Sequence, residues 1–320
     1  MSIDTTKRVA PPRAGDGSVA GARAEDAPVA GARNGGAGSP PRRVKVSRNP
    51  LVRLLQYALL ALTLAVFVVP LYWLFSSAVK SEQDIYAYPL RWIPSALELS
   101  NFADAWTSAP FDRFFLNSII TTTVGTALEM GCAILSAYAF AFVRFRWKTP
   151  LFLLLLGSLM LPGHVTLLVN YITMGNLGWL NTYQGLILPG IGSAFAMFLV
   201  YQQMRMVPAE VIDAAKLDGA GHLRRLWSIA IPMCRPMILT GTLIVMFTKW
   251  NDFVWPLIVT STADMRTLPI GLMFLRSQEG YANWGAIMAG TVMVALPMLA
   301  VFFFAQKRIV GGMAAGALKG

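Results

Sequence analysis

Few residues in this chain can do chemistry. It holds two cysteines, Cys132 and Cys234, and two histidines, His164 and His222. Neither cysteine has a CxxC partner, so a disulfide framework is excluded, and a structural zinc site or a Cys/His nucleophile would lack ligands. All four read as packing or surface residues. His164 would serve a proton relay only with an ionisable neighbour in its span, and the sequence shows none nearby. The apolar stretches contain no Ser–His, paired-Asp or HExxH constellation, which argues against an intramembrane enzyme. No GxxxxGK(S/T) loop occurs, and in the Gly-rich end Lys319 stands three places after Gly316, so the chain does not bind and hydrolyse ATP by that route.

The polar residues that stand out lie inside or beside long apolar runs. Lys249, Trp250, Asn251 and Asp252 fall between Phe247 and Phe253, toward one end of a run from about Met237 to Val259. Ionisable groups there are costly and are functional candidates by default, and Lys249 and Asp252 have the i, i+3 spacing of a helical ion pair. Two readings stay open: a lining of a translocation path or outer gate, and an interfacial anchor or helix-end cap. Pro162, Gly163 and His164 fall near the middle of another run, where proline interrupts the hydrogen-bond ladder and permits a bend.

One connection between runs, about 207–232, reads VPAEVIDAAKLDGAGHLRRLWSIAIP. It is too polar to span a bilayer and too periodic to be a tether. Pro208 can open a helix, and Glu210 then sits where the helix dipole favours an anion. Val211, Ala214 and Ala215 with Leu217 make an apolar, small-residue face suited to close approach by another surface. Gly219 ends that helix where a left-handed turn is needed, and a second amphipathic stretch from His222 to Ile231 leads to Pro232. The expected product is a helix, an elbow and a second helix.

The elements that must carry these residues follow from composition. Of 320 residues, 55% are hydrophobic and 13% charged, against about 45–50% and about 25% in soluble domains. The apolar residues form runs of about 20, enough to cross roughly 30 Å of hydrocarbon. Six are predicted: about Leu54–Phe75, Phe115–Phe142, Leu151–Tyr171, Gln184–Met204, Met237–Val259 and Ala286–Ala305. The fold class is therefore all-α, a polytopic membrane protein with six transmembrane helices. The net charge of +11 comes from basic residues flanking the runs, which reads as a topology signal rather than a nucleic-acid groove. Arg144, Arg146 and Lys148 lie between runs two and three, Arg205, Lys216, Arg224, Arg225 and Arg235 between runs four and five, and Lys307 and Arg308 follow run six. The connection Ile172–Tyr183 is uncharged, and Arg266 and Arg276 are balanced by Asp264 and Glu279. Both termini are therefore expected in the cytoplasm. The first run is too long for a signal-peptide core, so it is expected to stay as an anchor. Residues 1–48 read as a disordered cytoplasmic tail whose VAGAR repeat is low-complexity and whose basic end is suited to anionic lipid. A permease domain at 49–310 and a cytoplasmic tail at 311–320 complete the expected organisation.

Asp213-Ala214-Ala215, Gly219 and Ile229-Ala230-Ile231-Pro232 resemble the EAA loop of ATP-binding-cassette importer permeases, with Asp213 for Glu and Ile231 for Leu. Leu217-Asp218-Gly219-Ala220 is similar to a string common in the sugar-importing branch. Asn117-Ser118, SAYAFAFVRFRW from Ser136, Leu161-Pro162, GWLNTYQGLILP from Gly178, WNDFVWPL from Trp250, TLPIGL from Thr267 and the Gly-rich end resemble the maltose-type permease in the family's order. The resemblance extends over about residues 50–320. It implies a transport subunit, not an enzyme, in the bacterial inner membrane. It implies as partners a second homologous permease, a cytoplasmic ATPase dimer carrying ATP and magnesium, an extracytoplasmic sugar-binding protein and membrane lipid, with no cofactor on this chain. Glu210, Asp213, Ala214, Ala215, Asp218, Gly219 and Pro232 would couple to the ATPase. Asn170, Tyr171, Trp250, Asn251 and Asp252, with Asn176 close by, are path or gate candidates, although in resembling transporters the partner permease can hold most of the substrate. The solute expected is a mono- or oligosaccharide moved by alternating access. The alternatives are an importer permease for a polyol, amino acid or peptide, and an ion-coupled secondary transporter, for which no inverted repeat is visible.

Overall fold

The computed structural model describes residues 50–163, 165–275 and 283–317, with side chains as far as 306. The expectations for the 1–48 tail and for His164 lie outside the described residues. By contacts the chain divides into Met1–Tyr57 and Ala58–Gly320. The described part of the first unit is the start of a helix, and the second unit holds the packed elements.

The described residues are helical and irregular, with no strand among them. Helix α1 (Pro50–Ser77) is followed by the short α2 (Glu82–Ile85) and α3 (Ser100–Thr107), then α4 (Phe111–Phe142), α5 (Lys148–Ser158) and α6 (Val165–Asn176). Next come α7 (Tyr183–Ile187), a 3-10 turn at Leu188–Gly190, α8 (Ala194–Arg205), α9 (Ala209–Leu217) and α10 (His222–Arg225). A π-helical segment, Leu226–Ala230, leads into α11 (Ile231–Trp250), then α12 (Val254–Val259), α13 (Leu268–Phe274) and α14 (Trp284–Ala317).

Among the described residues four helices are long and apolar enough to cross a membrane, or five if the pair Tyr183–Gly190 and Ala194–Arg205, bent by 46°, counts as one span. The third predicted run is divided: α5 stops at Ser158 and α6 starts at Val165. Pro162 lacks the N–H that a continuous helix would use, and Gly163 beside it adds backbone freedom. The fifth run is displaced. Its helix extends continuously from His222 to Trp250, so the expected second amphipathic stretch is not a separate helix ending at Pro232 but the first turns of a 29-residue helix. Pro232 cannot donate to the carbonyl four residues back, and the wider π turn just before it absorbs that missing bond. The tail expected from residue 311 is helical to Ala317 as the end of α14.

Helix α4 organises the second unit. Its 32 residues span about 48 Å at a rise of about 1.5 Å per residue, more than the roughly 30 Å of a hydrocarbon core. Toward its C-terminal end Ala133, Ala137, Ala196, Val200, Ala230 and Cys234 are buried together with Met130, Met204 and Leu226. On α4 and α8 these small residues repeat at four-residue intervals, the spacing that lets helix backbones approach closely in lipid, where packing replaces the hydrophobic drive. Enlarging Ala137, which is fully buried, costs about 1–3 kcal/mol by overpacking. Toward its N-terminal end Phe111 and Phe114 join Trp250, Leu268, Ala286, Ala289 and Val292 in a second core.

The segment between α1 and α4 closes around charge. Lys80 is fully buried, donates to the Arg91 carbonyl at 2.6 Å and lies 4.0 Å from the Trp73 ring centroid. Asp84, also buried, accepts from the Ser95 hydroxyl at 2.6 Å, the Ser95 N–H at 2.8 Å and Arg91 at 2.7 Å. These bonds, Ser95 first and then Arg91, hold the Asp84 carboxyl down at about 2. Burial lowers the Lys80 ammonium from its ordinary range, partly opposed by Asp84.

Candidate functional site

A cavity of about 220 Å³ opens between α4, the α5–α6 break, α6, the α7 turn and the end of α11. One face of α6 and the preceding break supplies Gly163, Thr166, Leu167 and Asn170, at the i, i+3, i+4, i+7 spacing of a helical stripe. From α4 comes Thr121, and from beyond α11 come Asp252, Trp255 and Thr267. The Lys249 ammonium also lines it, 2.8 Å from the Glu129 carboxylate and donating to the Gly190 carbonyl at 3.1 Å. Thr121, Gly125 and Glu129 follow one another at four-residue steps on α4, so one helix face carries a hydroxyl, a gap and a carboxylate.

The predicted Lys249–Asp252 pair does not form; Glu129, which the sequence reading overlooked, takes the ammonium instead. Helix α11 stops at Trp250, where the Asn251 side chain donates to the Phe247 carbonyl at 2.8 Å, so Asp252 lies beyond the helix and loses the i, i+3 register. Its carboxylate faces the N–H groups of Phe253 and Trp255 at the start of α12. Asp252 thus lines the cavity beside the start of α12, whose cap residue is Phe253. The signal that could have found Glu129 was plain: an ionisable residue inside an apolar run needs a partner. Gly125, Gly190 and Thr267 carried no comparable signal.

The other path candidates separate. Asn170 and Asp252 line the cavity. Tyr171 faces a different, lateral groove with Leu167, Leu168 and Ile258. Trp250 is buried in packing, its indole N–H donating to the Val294 carbonyl at 3.0 Å and its ring edge-on to Phe115 at 6.1 Å. With Asn251 it borders an apolar groove between α11 and α14 rather than the cavity. Asn176 is exposed at the end of α6 and lines none of these spaces.

Several segments that looked separate in sequence are bonded to one another around this cavity. Asn117 donates to the carbonyls of Asp264 and Arg266 at 2.7 and 2.8 Å and accepts from the Tyr183 hydroxyl at 2.7 Å. Ser118 accepts from the Leu268 N–H at 2.7 Å. The Trp255 indole donates to the Gly185 carbonyl at 3.1 Å, and Asn181 accepts from the N–H groups of Ser261 and Thr262. Asn181 itself has a φ of 57°, a left-handed turn that asparagine tolerates better than most residues.

The 207–232 connection opens with a short, well-ended helix. Pro208 precedes α9, and Glu210 lies in its first turn. At the far end Gly219 has a φ of 73°, and the N–H groups of Gly219 and Ala220 donate to the carbonyls of Lys216 and Ala215 at 3.0 and 2.9 Å. This is a Schellman ending, which strongly favours glycine at that position, with Asp218 as the cap residue. The apolar face divides differently from expectation. Ala215 is buried with Ile212, whereas Val211 and Ala214 are exposed and Leu217 is 90% exposed. Residues 212 and 215 share one side at i, i+3, and 211, 214 and 217 share the other. Asp213 bonds Lys216 at 2.7 Å on the exposed side, and that bond and charge hold its carboxyl below the usual range. His222 is exposed and sits edge-on to Tyr138 at 6.1 Å, Cys234 is buried, and Cys132 is exposed. Among the described residues no group of three or more His, Cys, Asp or Glu is placed to hold a metal.

Residues 129–314 match the family described as binding-protein-dependent transport system inner membrane component. Over 275 residues the chain is 30% identical to the sn-glycerol-3-phosphate transport system permease protein UgpE of Escherichia coli O1:K1 / APEC, covering 84% of this chain and 98% of that one. The UgpE protein of Shigella flexneri serotype 5b matches to the same extent. In structure it is similar to a chain of a bacterial ABC transporter involved in the import of the acidic polysaccharide alginate, with a TM-score of 0.74 and 20% identity over 82% of this chain and 98% of that one. A chain of the bacterial alginate ABC transporter in complex with a periplasmic protein bound to alginate pentasaccharide gives 0.58 and 15% over 79% and 92%. The chain belongs to the binding-protein-dependent transport system inner membrane components: it is an ABC importer permease subunit, not itself an enzyme.

Proposed function

We propose that this permease forms one half of a transmembrane pathway for a mono- or oligosaccharide and works by alternating access. In this reading it crosses the inner membrane six times. The pair α5 and α6 forms the third crossing and α7 with α8 the fourth, and both termini lie in the cytoplasm. Its partners are a second homologous permease, a cytoplasmic ATPase dimer and an extracytoplasmic sugar-binding protein, with ATP and magnesium on the ATPase. Helix α9 is the EAA coupling loop. The observation that carries this is the Schellman-ended α9 with Val211, Ala214 and Leu217 unburied. A stiff helix with an apolar outer face and a glycine-defined exit is what a groove on an ATPase can hold and pull. Asp213, Ala214 and Leu217 then face the ATPase, and Ala215 anchors the lever to its own subunit.

A second reading, an importer of a phosphorylated polyol, is favoured by the 30% identity to the glycerol-3-phosphate permeases. Purification of the tagged chain from gently solubilised native membranes tests the main reading. Recovery with an ATPase and a second permease supports it, and a folded chain recovered alone overturns it. Uptake of sugars against glycerol 3-phosphate by the recovered complex separates the two solutes.

A further inference from the structure

The cavity's charge balance bears on what it admits. Its ionisable lining among the described residues is Lys249 and Asp252. Lys249 is not available as a cation, because Glu129 stands 2.8 Å from its ammonium. That pairing is built into the backbone: a Cβ on Gly125 would lie 3.0 Å from the Lys249 Cδ, and one on Gly190 3.1 Å from its Nζ. Glycine at both positions leaves a slot for the lysine stem and head. An ammonium has three donors; Glu129 and Gly190 take two, which leaves one for a ligand. With the lysine neutralised, Asp252 leaves the described lining net negative.

Its remaining polar groups suit hydroxyls. Thr267 is 4% exposed, lines the cavity, and its Oγ1 has no hydrogen-bond partner among the described residues. Asn170 can donate and accept, and Asp252 can only accept. A sugar or polyol hydroxyl both donates and accepts, so it can pair with Asp252, with Asn170 or with the spare lysine donor. A carboxylate or phosphate only accepts, and would meet Asp252 as a like charge in a low-dielectric space. The volume of about 220 Å³ is below the roughly 300–1,000 Å³ of pockets for drug-sized ligands, which suits a single ring or a short polyol.

We infer that the Glu129–Lys249 pair makes this cavity an anion-rejecting subsite for a neutral, hydroxyl-rich group, with Glu129 as the residue that sets the selectivity. The inference rests on the reading of the chain as a solute pathway. It assigns the solute, or the part of it that occupies this cavity, to the uncharged class.

Glucose and glucuronate differ by a hydroxymethyl against a carboxylate and so isolate the charge. Thr121→Cys is made in the full chain with its native partners, in a Cys132→Ser background because Cys132 is exposed and Cys234 buried. The rate of modification by methyl methanethiosulfonate, which is uncharged, is measured with each sugar acid or sugar present. Glucose is expected to slow modification and glucuronate to leave it unchanged. Glu129→Gln and Asp252→Asn each remove one negative charge, and each is expected to raise the apparent affinity for glucuronate by about tenfold, the scale of one charge about 12 Å away at an effective dielectric of about 20. Equal protection by both probes, no protection by either, or unchanged preference in both variants overturns the inference. Asn170→Cys repeats the measurement at a second wall of the cavity if Thr121→Cys does not reach the membrane. Recovery of the ATPase with the same preparation keeps this outcome separate from the importer reading, which fails only if that partner is missing.

Discussion

The Tyr183 hydroxyl donates a 2.7 Å hydrogen bond to the Oδ1 of Asn117, whose amide group donates in turn to the carbonyls of Asp264 and Arg266. One buried side chain thereby ties α4, the start of α7 and the loop before α13 together at one end of the cavity. Asn117→Ala leaves a hydroxyl and two carbonyls short of partners and is expected to destabilise the folded chain by about 2–4 kcal/mol. Tyr183→Phe is expected to cost about 1 kcal/mol. Unfolding in detergent of both single variants and the double variant checks this, and strictly additive losses would show that the bond is not shared.

At Gly219 the φ of 73° and the bond from its N–H to Lys216 are both required. Gly219→Ala is expected to strain the turn by about 1–2 kcal/mol and to reduce uptake moderately. Gly219→Pro forbids the positive φ and removes the donor, so uptake is expected to fall more than about tenfold, which corresponds to more than about 1.4 kcal/mol. Membrane levels measured beside uptake separate lost coupling from lost folding; normal uptake in the proline variant would remove Gly219 from the lever.

The two faces of α9 make opposite forecasts. Leu217→Cys, at a position 90% exposed, is expected to react readily with a thiol reagent and to cross-link to the ATPase when that partner is present. Ala215→Cys, at a position 8% exposed, is expected to do neither. Asp213→Lys, which replaces the carboxylate that bonds Lys216, is expected to weaken uptake while leaving the chain in the membrane. The reverse labelling pattern would place the docking surface on the Ile212 side.

Acid should loosen the segment between α1 and α4. In the folded chain Asp84 holds its proton off down to about 2, whereas an unfolded aspartate takes one up near about 3.9. Between those values the unfolded chain binds more protons, so the contribution of Asp84 is complete above about pH 4 and is lost as pH falls toward about 2. Asp84→Asn is expected to be less stable at neutral pH and to lack that acid-dependent loss. The thermal midpoint of both chains between pH 5 and pH 2 reads it, and parallel curves would remove Asp84 as the cause.

Composition and run length were enough for an all-helical polytopic membrane protein, because apolar excess and spacing report directly on the solvent a helix must face. The end of α9 was legible too: a left-handed turn after an amphipathic helix strongly favours a residue such as Gly219, and local geometry needs no distant partner. The break in the third run was legible at Pro162 for the same reason. The residues that line the cavity were legible only in part. Trp250 and Asp252 are two positions apart and both looked functional, yet one is packed under Val294 and the other lines the cavity. No local rule separates them, because a helix end at Trp250 turns the two side chains into different spaces.

By itself the sequence determined where the helices are apolar, which connection holds the short helix α9, and the turn that ends it, since each depends on residues within a few positions of one another. Only the tertiary structure decided which charge meets Lys249. Asp252 was the near candidate along the chain, but Glu129, about a hundred and twenty positions earlier, is the one α4 brings to 2.8 Å. The physical reason is that an ion pair is chosen by distance in space and by room for the side chain. Both were set here by helices packing across Gly125 and Gly190, which no periodicity within one run can reveal.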